Sequence, residues 1–389
     1  MGRHIDIFMF IDALGWEIVN DIGFAERILP HRCKVKMQFG YSSTAIPTIL
    51  SGEPPVKHKH LSFFYYAPKK SPFKIFRYLM LHRLLPTSLT DRWRVRHILS
   101  KLVAKLYGFT GYFEMYTVPF DRIFYFDYIE KNDIFVPGGL APVPNLADEL
   151  QKRNLKYHIS DWRRTELENV DALLCDIDRG EISFAFLYTA QLDGLLHLHD
   201  RFSVDIKKKM RWYEEQLEKI VEMAGDKYDS FTLNVISDHG MTPLAGTVDL
   251  KKKIEALNME FGRDYVATYD STMGRFWPLN DSAETLILEV LENTPHSSIV
   301  TEEQKKQYGI DFPDNMYGQI ILLMDPGWQI SPSDMGKKPL PGMHGYSPED
   351  KDSYASFMSS DDFTIKPEWV GDFFKIMIDR ADRQKEEIE

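Results

Sequence analysis

The chain has 389 residues, 43% of them hydrophobic and 13% aromatic, and its formal net charge at pH 7 is −11. This composition excludes a disordered chain, and the acidic balance excludes a global attraction to nucleic acid, so we expect no binding to duplex nucleic acid. The length permits one large α/β domain with an insertion or two domains, and Cys33 and Cys175 are too few for a disulfide framework or a cysteine-based zinc site.

The first apolar run, residues 5–11, predicts a buried β-strand that ends at Asp12. It is too short and too acidic for a signal peptide, and no later run approaches the roughly 20 apolar residues of a membrane span. These features favour a soluble protein of a reducing, cytoplasmic compartment. The carboxylate of Asp12 is either an N-cap for a helix at residues 16–20, which is the commoner use of an acid there, or a metal ligand.

Three consecutive hydroxyl residues, Ser42, Ser43 and Thr44, lie between a strand predicted at residues 34–39 and a short apolar helix. A hydroxyl at this point commonly caps the helix. It is also well placed to attack phosphorus or to bind its charge, because the helix dipole favours an anion at the N-terminus. The residues alone leave both interpretations open.

Residues 53–140 differ in composition from the rest of the chain. Between Glu53 and Tyr107 there are twelve Lys and Arg residues against two acids, with aromatic residues interleaved. This contrast predicts a cap inserted over the strand ends. Within it, residues 94–106 carry apolar side chains at helical spacing, which predicts an amphipathic helix with a basic outer face. We favour a helix that packs on its own domain; the alternative is a surface for an anionic substrate or for lipid headgroups, that is, a peripheral membrane contact.

Strands and helices alternate beyond the basic segment, with strands predicted at 155–159, 182–188 and 231–236 and helices at 166–176 and 207–223. Asp193 and His197 follow the second of these strands, and their spacing places both side chains on one side of a helix or tight loop. The third strand stops at Asp238, His239 and Gly240. The alternation indicates an α/β fold with a doubly wound, mostly parallel sheet flanked by helices, in which ligands bind at the carboxyl ends of the strands.

The alternation weakens after Gly240. Residues 262–340 predict a small mixed subdomain, with strand and turn at 265–277, a helix at 284–293 and a strand at 318–324. His344 follows in a loop between Gly342 and Gly345. Nothing local would hold this histidine in an apolar cluster, so it is a poor candidate for a core residue.

Seven oxygen or nitrogen ligands fall at predicted strand ends or in the loops after them: Asp12, Ser42, Asp193, His197, Asp238, His239 and His344. Each alone has an ordinary use as a cap or a solvated side chain. Their coincidence at one edge of one sheet is difficult to ascribe to capping. The set is large enough to bind two divalent cations and to leave a position open for substrate.

The order of these motifs resembles the alkaline phosphatase superfamily, and most closely its nucleotide pyrophosphatase/phosphodiesterase branch, the type I phosphodiesterases. The motifs that carry the resemblance are Phe10-Ile11-Asp12, Ser42 ahead of Ser51-Gly52, the downstream His58, Asp193-x-x-x-His197, Asp238-His239-Gly240-Met241 and Gly342-Met343-His344-Gly345-Tyr346. The resemblance implies an alkaline-phosphatase-like fold. We therefore expect one catalytic domain over residues 1–389, with the cap at 53–140 and the mixed subdomain at 262–340 lying within it.

The resemblance also implies an activity and its cofactors. A metal-dependent hydrolase would cleave phosphodiester or pyrophosphate bonds in a small phosphodiester or nucleotide-type substrate, through a covalent phosphoserine on Ser42 at a two-zinc site. One ion would be held by Asp193, His197 and His344, and the other by Asp12, Asp238 and His239 with the Ser42 oxygen. Carboxylate and imidazole ligands suit zinc, and manganese or iron are alternatives.

Alternatives to this reaction remain. Ser43 and Thr44 are rival nucleophiles, and a phosphoryl-headgroup transferase (a phosphotransferase) or a phosphomonoesterase would use the same site. A sulfatase is disfavoured because Ser42 is not followed by the Pro and Arg of the formylglycine motif. A cofactor-independent phosphoglycerate mutase is disfavoured because His344 lies far beyond Asp238-His239. A catalytically silent binding protein is disfavoured because no ligand position is missing.

Overall fold

The computed structural model describes residues 3–79 and 92–388, and the chain forms two compact units. The first unit comprises Met1–His58, Ile134–Pro243 and Pro348–Glu389, and the second comprises Lys59–Asp133 and Leu244–Ser347. Most of the basic segment 53–140 and all of the segment 262–340 therefore belong to the second unit. The predicted arrangement of one catalytic domain that contains both segments stays a prediction.

Within the described residues the strands, in chain order, are β1 (His4–Ile11), β2 (His31–Val35), β3 (Phe64–Tyr66), β4 (Phe126–Tyr128), β5 (Tyr157–Ile159), β6 (Phe184–Thr189), β7 (Ser230–Ile236), β8 (Thr242–Pro243), β9 (Gly246–Val248), β10 (Tyr265–Tyr269), β11 (Met273–Pro278), β12 (Ser297–Ile299), β13 (Ile320–Met324), β14 (Trp328–Ile330), β15 (Gly342–Met343) and β16 (Ala355–Ser359). The helices are α1 (Trp16–Ile22), α2 (Ser42–Ser51), α3 (Pro55–His58), α4 (Lys74–Leu79), α5 (Trp93–Tyr107), α6 (Leu146–Lys152), α7 (Glu166–Arg179), α8 (Gln191–Leu196), α9 (Val204–Lys227), α10 (Leu250–Glu255), α11 (Asp281–Glu292), α12 (Glu302–Gln307) and α13 (Asp372–Ile388).

A six-stranded sheet forms the centre of the first unit, with strand order β2-β16-β7-β1-β6-β5. β1 pairs in parallel with both β6 and β7, and β5 pairs in parallel with β6. β16 runs antiparallel to its neighbours β7 and β2. This confirms the mostly parallel sheet flanked by helices that the strand–helix alternation predicted.

Both faces of this sheet are buried, which explains why its strands are continuous apolar runs. Alternate residues of β1 enter two separate cores, since successive side chains of a strand point to opposite faces. Ile5, Ile7, Met9 and Ile11 pack with residues of α7 and α9, whereas Phe8 and Phe10 pack with residues of α2 and α13. Removing one such buried aliphatic side chain typically lowers the free energy of unfolding by about 2–5 kcal/mol.

The second unit is built on an antiparallel sheet of order β10-β11-β13-β12. Its apolar core is largely aromatic and includes Phe64, Phe73, Phe126 and Trp277. Arg275 is fully buried in this unit, where its Nε donates to Asp270 at 2.9 Å.

Some expected elements differ in position. The strand predicted at 34–39 is β2, which ends at Val35 because the chain leaves the sheet after an isolated bridge at Lys36. The strand and turn predicted at 265–277 are β10 and β11. Asp12 does not cap the following helix: the N-cap of α1 is Gly15, so that interpretation was wrong.

The amphipathic helix predicted at 94–106 is confirmed as α5, and its outer face is basic at Arg94, Lys101 and Lys105, but its buried side is only partly the apolar one. Arg96, Ser100 and Val103 face the interior, whereas three of the six apolar side chains at helical spacing, Ile98, Leu102 and Leu106, are exposed. In the described part of the chain, no helix combines the length and the apolarity that a bilayer span needs.

Candidate active site

The carboxyl ends of three neighbouring strands lie level at one edge of the central sheet. Phe10 of β1 is opposite Ile236 of β7, and Ile11 of β1 is opposite Thr189 of β6. Asp12, Asp238 and the short helix α8 follow directly after these strands. The sheet register therefore brings together side chains that are far apart in the sequence, as expected for ligand sites in open α/β sheets.

Asp238 is completely buried and is oriented by the backbone. Its Oδ1 accepts hydrogen bonds from the N–H groups of Ala13 and His239, both at 3.1 Å. Ala13 has a φ of 61°, a left-handed conformation that is unusual for alanine, and it presents its N–H to this carboxylate. Asp238 Oδ2 accepts no hydrogen bond from the described residues and lies 3.2 Å from His239 Nε2. This buried oxygen has lone pairs available for a cation.

His239 is oriented so that Nε2 faces the other polar groups. Its Nδ1 lies 2.9 Å from the carbonyl oxygen of Gly240, which can accept its proton and so leave Nε2 as an acceptor when the ring is neutral. Nε2 lies 2.9 Å from Ser42 Oγ and 3.6 Å from Asp12 Oδ1. Burial lowers the pKa of this imidazole, but the charges of Asp238 and Asp193 outweigh it, and the net result is a raised pKa.

Ser42 is the first residue of α2, after the N-cap residue Tyr41. Its hydroxyl can donate to His239 Nε2 or to Asp12 Oδ1, which is 3.5 Å away. The other two hydroxyl residues are placed differently. Thr44 Oγ1 accepts from the Tyr41 N–H at 3.3 Å, and the buried Ser43 Oγ forms no hydrogen bond with the described residues. Of the three, Ser42 is the one in hydrogen-bond range of the site's imidazole.

His58, the downstream histidine of the motif set, supports this helix. Its Nε2 lies 3.0 Å from Thr48 Oγ1, and Thr48 Oγ1 also donates to the Thr44 carbonyl at 3.0 Å. His58 therefore contacts the middle of α2 through Thr48.

Asp193 and His197 lie on and just after α8. The His197 N–H donates to the Asp193 carbonyl at 3.0 Å, and the His197 Nε2 lies 3.4 Å from Asp193 Oδ2. The i, i+4 spacing thus places both side chains on one side of the helix, as predicted.

A buried network that the sequence did not reveal holds the start of α8. Glu166 Oε1 accepts from the Gln191 N–H and from the Tyr213 hydroxyl, each at 2.8 Å, and the other carboxylate oxygen pairs with Lys209. In the sequence, Glu166 has only the pattern of an acid in the first turn of a helix, which is common. No signal connected it to Gln191.

The carboxylates of Asp12 and Asp193 and the ring of His239 each offer one donor atom within 4.8 Å of the others. Burial raises the pKa of Asp12 well above its ordinary value, and the negative charges of Asp238 and Asp193 raise it further, against the opposing hydrogen bond from Ser42. Three acids confined in this way repel one another when ionised. A divalent cation would relieve the repulsion, so the residues present fit a metal ion.

The first unit thus brings together six of the seven predicted residues: Asp12, Ser42, Asp193, His197, Asp238 and His239. His344 belongs to the second unit, where it is buried just after β15. Its loop is fixed by the Thr272 hydroxyl, which donates to the Gly345 carbonyl at 2.9 Å. Gly345 has a φ of 87°, which favours glycine at that position. The role of His344 as a metal ligand stays a prediction.

Three comparisons with known proteins bear on this site. The family model described as type I phosphodiesterase / nucleotide pyrophosphatase matches residues 11–347. Murine ectonucleotide pyrophosphatase/phosphodiesterase 5 superposes with a TM-score of 0.69 at 13% identity, covering 97% of this chain and 95% of that one. The human counterpart gives a TM-score of 0.68 at 13% identity, with the same coverage of 97% and 95%.

A further structure of the murine protein, an inactive variant in complex with AMP, superposes with a TM-score of 0.67 at 14% identity and covers 98% of this chain and 95% of that one. At these identities the superpositions establish a shared fold. No curated protein sequence matched the chain.

Proposed function

Because the chain belongs to the type I phosphodiesterase / nucleotide pyrophosphatase family, whose members are metal-dependent hydrolases, we propose that it cleaves a phosphodiester or pyrophosphate bond by way of a phosphoserine on Ser42. One observation carries the proposal: Ser42 Oγ lies 2.9 Å from His239 Nε2, beside the acids Asp12, Asp193 and Asp238. A hydroxyl among so many metal-type ligands is the arrangement that activates a nucleophile.

Ser42 supplies the attacking oxygen. Its Oγ forms a bond to phosphorus as the leaving oxygen departs, and water then breaks the phosphoserine bond to restore the hydroxyl. As the first residue of α2, Ser42 lies where the helix dipole favours the negative charge of a phosphate. When bound, divalent ions supply positive charge that lowers the pKa of the serine hydroxyl and neutralises the phosphate oxygens.

We assign two ions to the site. Asp12, Asp238 and His239, with the Ser42 oxygen, would hold one, and Asp193, His197 and His344 would hold the other. Mixed carboxylate and imidazole ligation favours zinc, with manganese or iron as alternatives.

Elemental analysis tests the second set of ligands. His344→Ala should contain less zinc per chain than the wild type, whereas His296→Ala, at an exposed histidine of the same unit, should not. Equal zinc contents in the two variants would remove His344 from the assignment.

A small nucleotide-type compound is the proposed substrate. Support comes from the murine relative of this fold, which was solved in complex with AMP.

Hydrolysis of bis-p-nitrophenyl phosphate by the purified chain, before and after removal of metal with a chelator, tests the reaction. Ser42→Ala should lower turnover at least about a hundredfold, whereas Ser43→Ala, which removes the neighbouring hydroxyl, should retain most of it. Acid quenching should trap a phosphorylated peptide that contains Ser42.

The outcomes separate the rival reactions. Faster release of p-nitrophenol from p-nitrophenyl phosphate than from the diester would indicate a phosphomonoesterase. Transfer of the phosphoryl group to an added alcohol in preference to water would indicate a phosphotransferase. Turnover that is independent of metal and unchanged in Ser42→Ala would refute the proposed chemistry.

A further inference from the structure

Helix α5 exposes part of the apolar side that an amphipathic helix normally buries: Val103 and Leu99 pack with the aromatic core, but three other aliphatic residues face outward. Ile98, Leu102 and Leu106 are 59%, 58% and 68% exposed. They are four residues apart and so form one continuous row, which we call the apolar stripe. Trp93, at the start of the helix, is 70% exposed.

The orientation of α5 is fixed by polar contacts on its inner side. Arg96 Nη1 donates to the Val118 carbonyl at 2.7 Å, and the guanidinium lies 3.9 Å from the ring centroid of Phe120. Ser100 Oγ donates to Glu114 Oε1 at 2.7 Å and accepts from the Met115 N–H at 2.9 Å. Rotating the helix to bury the apolar stripe would expose these satisfied groups and break their hydrogen bonds, so the stripe faces outward for a structural reason.

A row of positive charge runs beside the apolar stripe. Arg94, Lys101 and Lys105 are exposed, and none of them forms an ion pair with a residue that the structure describes. The sequence of α5 contains no acid, and the segment from Glu53 to Tyr107 has twelve Lys and Arg residues against two acids in a chain of net charge −11. We call these three residues the basic row.

We propose that α5 docks the protein onto the surface of an anionic lipid bilayer, with the apolar stripe entering the headgroup region and the basic row contacting lipid phosphates. Isoleucine and leucine in one row, flanked by a row of lysine and arginine, are the composition of helices that lie in a membrane interface. The proposal concerns the second unit alone and does not depend on the chemistry proposed for the active site.

Two other occupants of this surface fit the charges less well. A second copy of the chain would bring two basic rows together, and like charges across an interface are unfavourable. A protein partner is disfavoured because lysine is depleted at protein interfaces, whereas α5 places two lysines beside its apolar stripe.

Flotation of the full-length chain with vesicles tests the proposal. We expect it to float with vesicles of phosphatidylcholine and phosphatidylglycerol in equal amounts, less with phosphatidylcholine alone, and less as salt rises. Each basic residue near an anionic surface contributes roughly fivefold to binding, so reversing two of them should lower it more than about twentyfold. The test variants are the double variant Lys101→Glu/Lys105→Glu and the triple variant Ile98→Ser/Leu102→Ser/Leu106→Ser, with Leu102→Ser as a milder form.

Matched controls carry the same chemical changes elsewhere on the surface. Lys207→Glu/Lys208→Glu alters two exposed lysines of α9, and Leu167→Ser removes an exposed leucine of α7. Both controls should float like the wild type, and all variants should melt at the wild-type temperature, since the substituted side chains are exposed.

Three results would overturn the assignment. The wild type could fail to float with anionic vesicles at low salt, or the α5 variants could float as well as the controls. Gel filtration could instead give a wild-type dimer that the triple variant converts to a monomer, which would show that a second copy covers α5.

Discussion

Replacing Asp12 by asparagine should raise the free energy of unfolding of the metal-free protein and lower that of the metal-bound protein. Asp12 and Asp193 offer oxygens within 4.8 Å of each other, and two like charges at that distance repel by about 3.5 kcal/mol at an effective dielectric constant of about 20. Attraction between Asp12 and a protonated His239 opposes this repulsion. We therefore expect Asp12→Asn to raise the free energy of unfolding without metal by about 1–2 kcal/mol at alkaline pH.

The pH dependence follows from the direction of the Asp12 pKa shift. Burial and the neighbouring charges raise the pKa of this carboxyl above its ordinary value of 3.8, so the folded state holds the proton more tightly than the unfolded state. The stability of the metal-free wild type should therefore fall as pH rises above about 4. Asp12→Asn lacks this titration, so its advantage over the wild type should grow between pH 5 and pH 8.

Adding zinc should make the wild type more stable than Asp12→Asn. A ligand that binds only the folded state stabilises it by about 4 kcal/mol at a free concentration of roughly a thousand times its Kd. Asp12→Asn has lost a charged ligand, so zinc should raise its free energy of unfolding by less than it raises that of the wild type.

Urea unfolding followed by circular dichroism, with chelator and with zinc, measures both effects, and Asp171→Asn on the exposed side of α7 is the matched control. A variant less stable than the wild type in chelator at pH 8 would refute the argument that these acids are held together for a cation.

Further substitutions test the framework of the site and of the second unit. Gly240→Ala would place a Cβ 2.1 Å from the Asp352 carbonyl oxygen and should lower the free energy of unfolding by at least about 1–3 kcal/mol; an unchanged melting temperature would contradict the close approach. Glu166→Gln breaks the ion pair behind α8 and should weaken zinc binding about tenfold in a competition assay with a chelator, and wild-type affinity would show that the network is not needed. Asp270→Asn leaves Arg275 buried without a charged partner and should destabilise the protein by about 3–5 kcal/mol in urea, so a much smaller loss would argue against a buried ion pair.

The sequence predicted the central sheet of the first unit well because its signals are local. An apolar run that ends abruptly in Asp12, or in Asp238 and His239, indicates both a buried parallel strand and the edge at which it ends. The register that sets these ends level follows from the parallel pairing of β1 with β6 and β7. The carboxyl ends of the strands therefore located six of the candidate residues before the structure did.

Long-range polar contacts were not predictable in this way. The apolar period of residues 94–106 identified a helix, but its inner side was selected by Arg96 and Ser100, whose partners Val118 and Glu114 lie in a later loop. A hydrophobic pattern assumes that the apolar side is buried, and it fails where buried polar groups are fully hydrogen-bonded. The link between Glu166 and the backbone of Gln191 was missed for the same reason, because no local pattern connects the residues.

The position of β16 inside the central sheet has a consequence for biosynthesis. This strand is the last of the described strands in chain order, yet it lies between β2 and β7, which leave the ribosome much earlier. Until residues 355–359 emerge, β2 has no neighbour in the sheet and β7 keeps an open edge, a state prone to misassociation. The Ser356 hydroxyl also donates to the Leu14 carbonyl at 2.6 Å, and the Ser356 N–H donates to Ser237 Oγ at 2.9 Å, so the segments beside Asp12 and Asp238 gain these contacts only after β16 has been made.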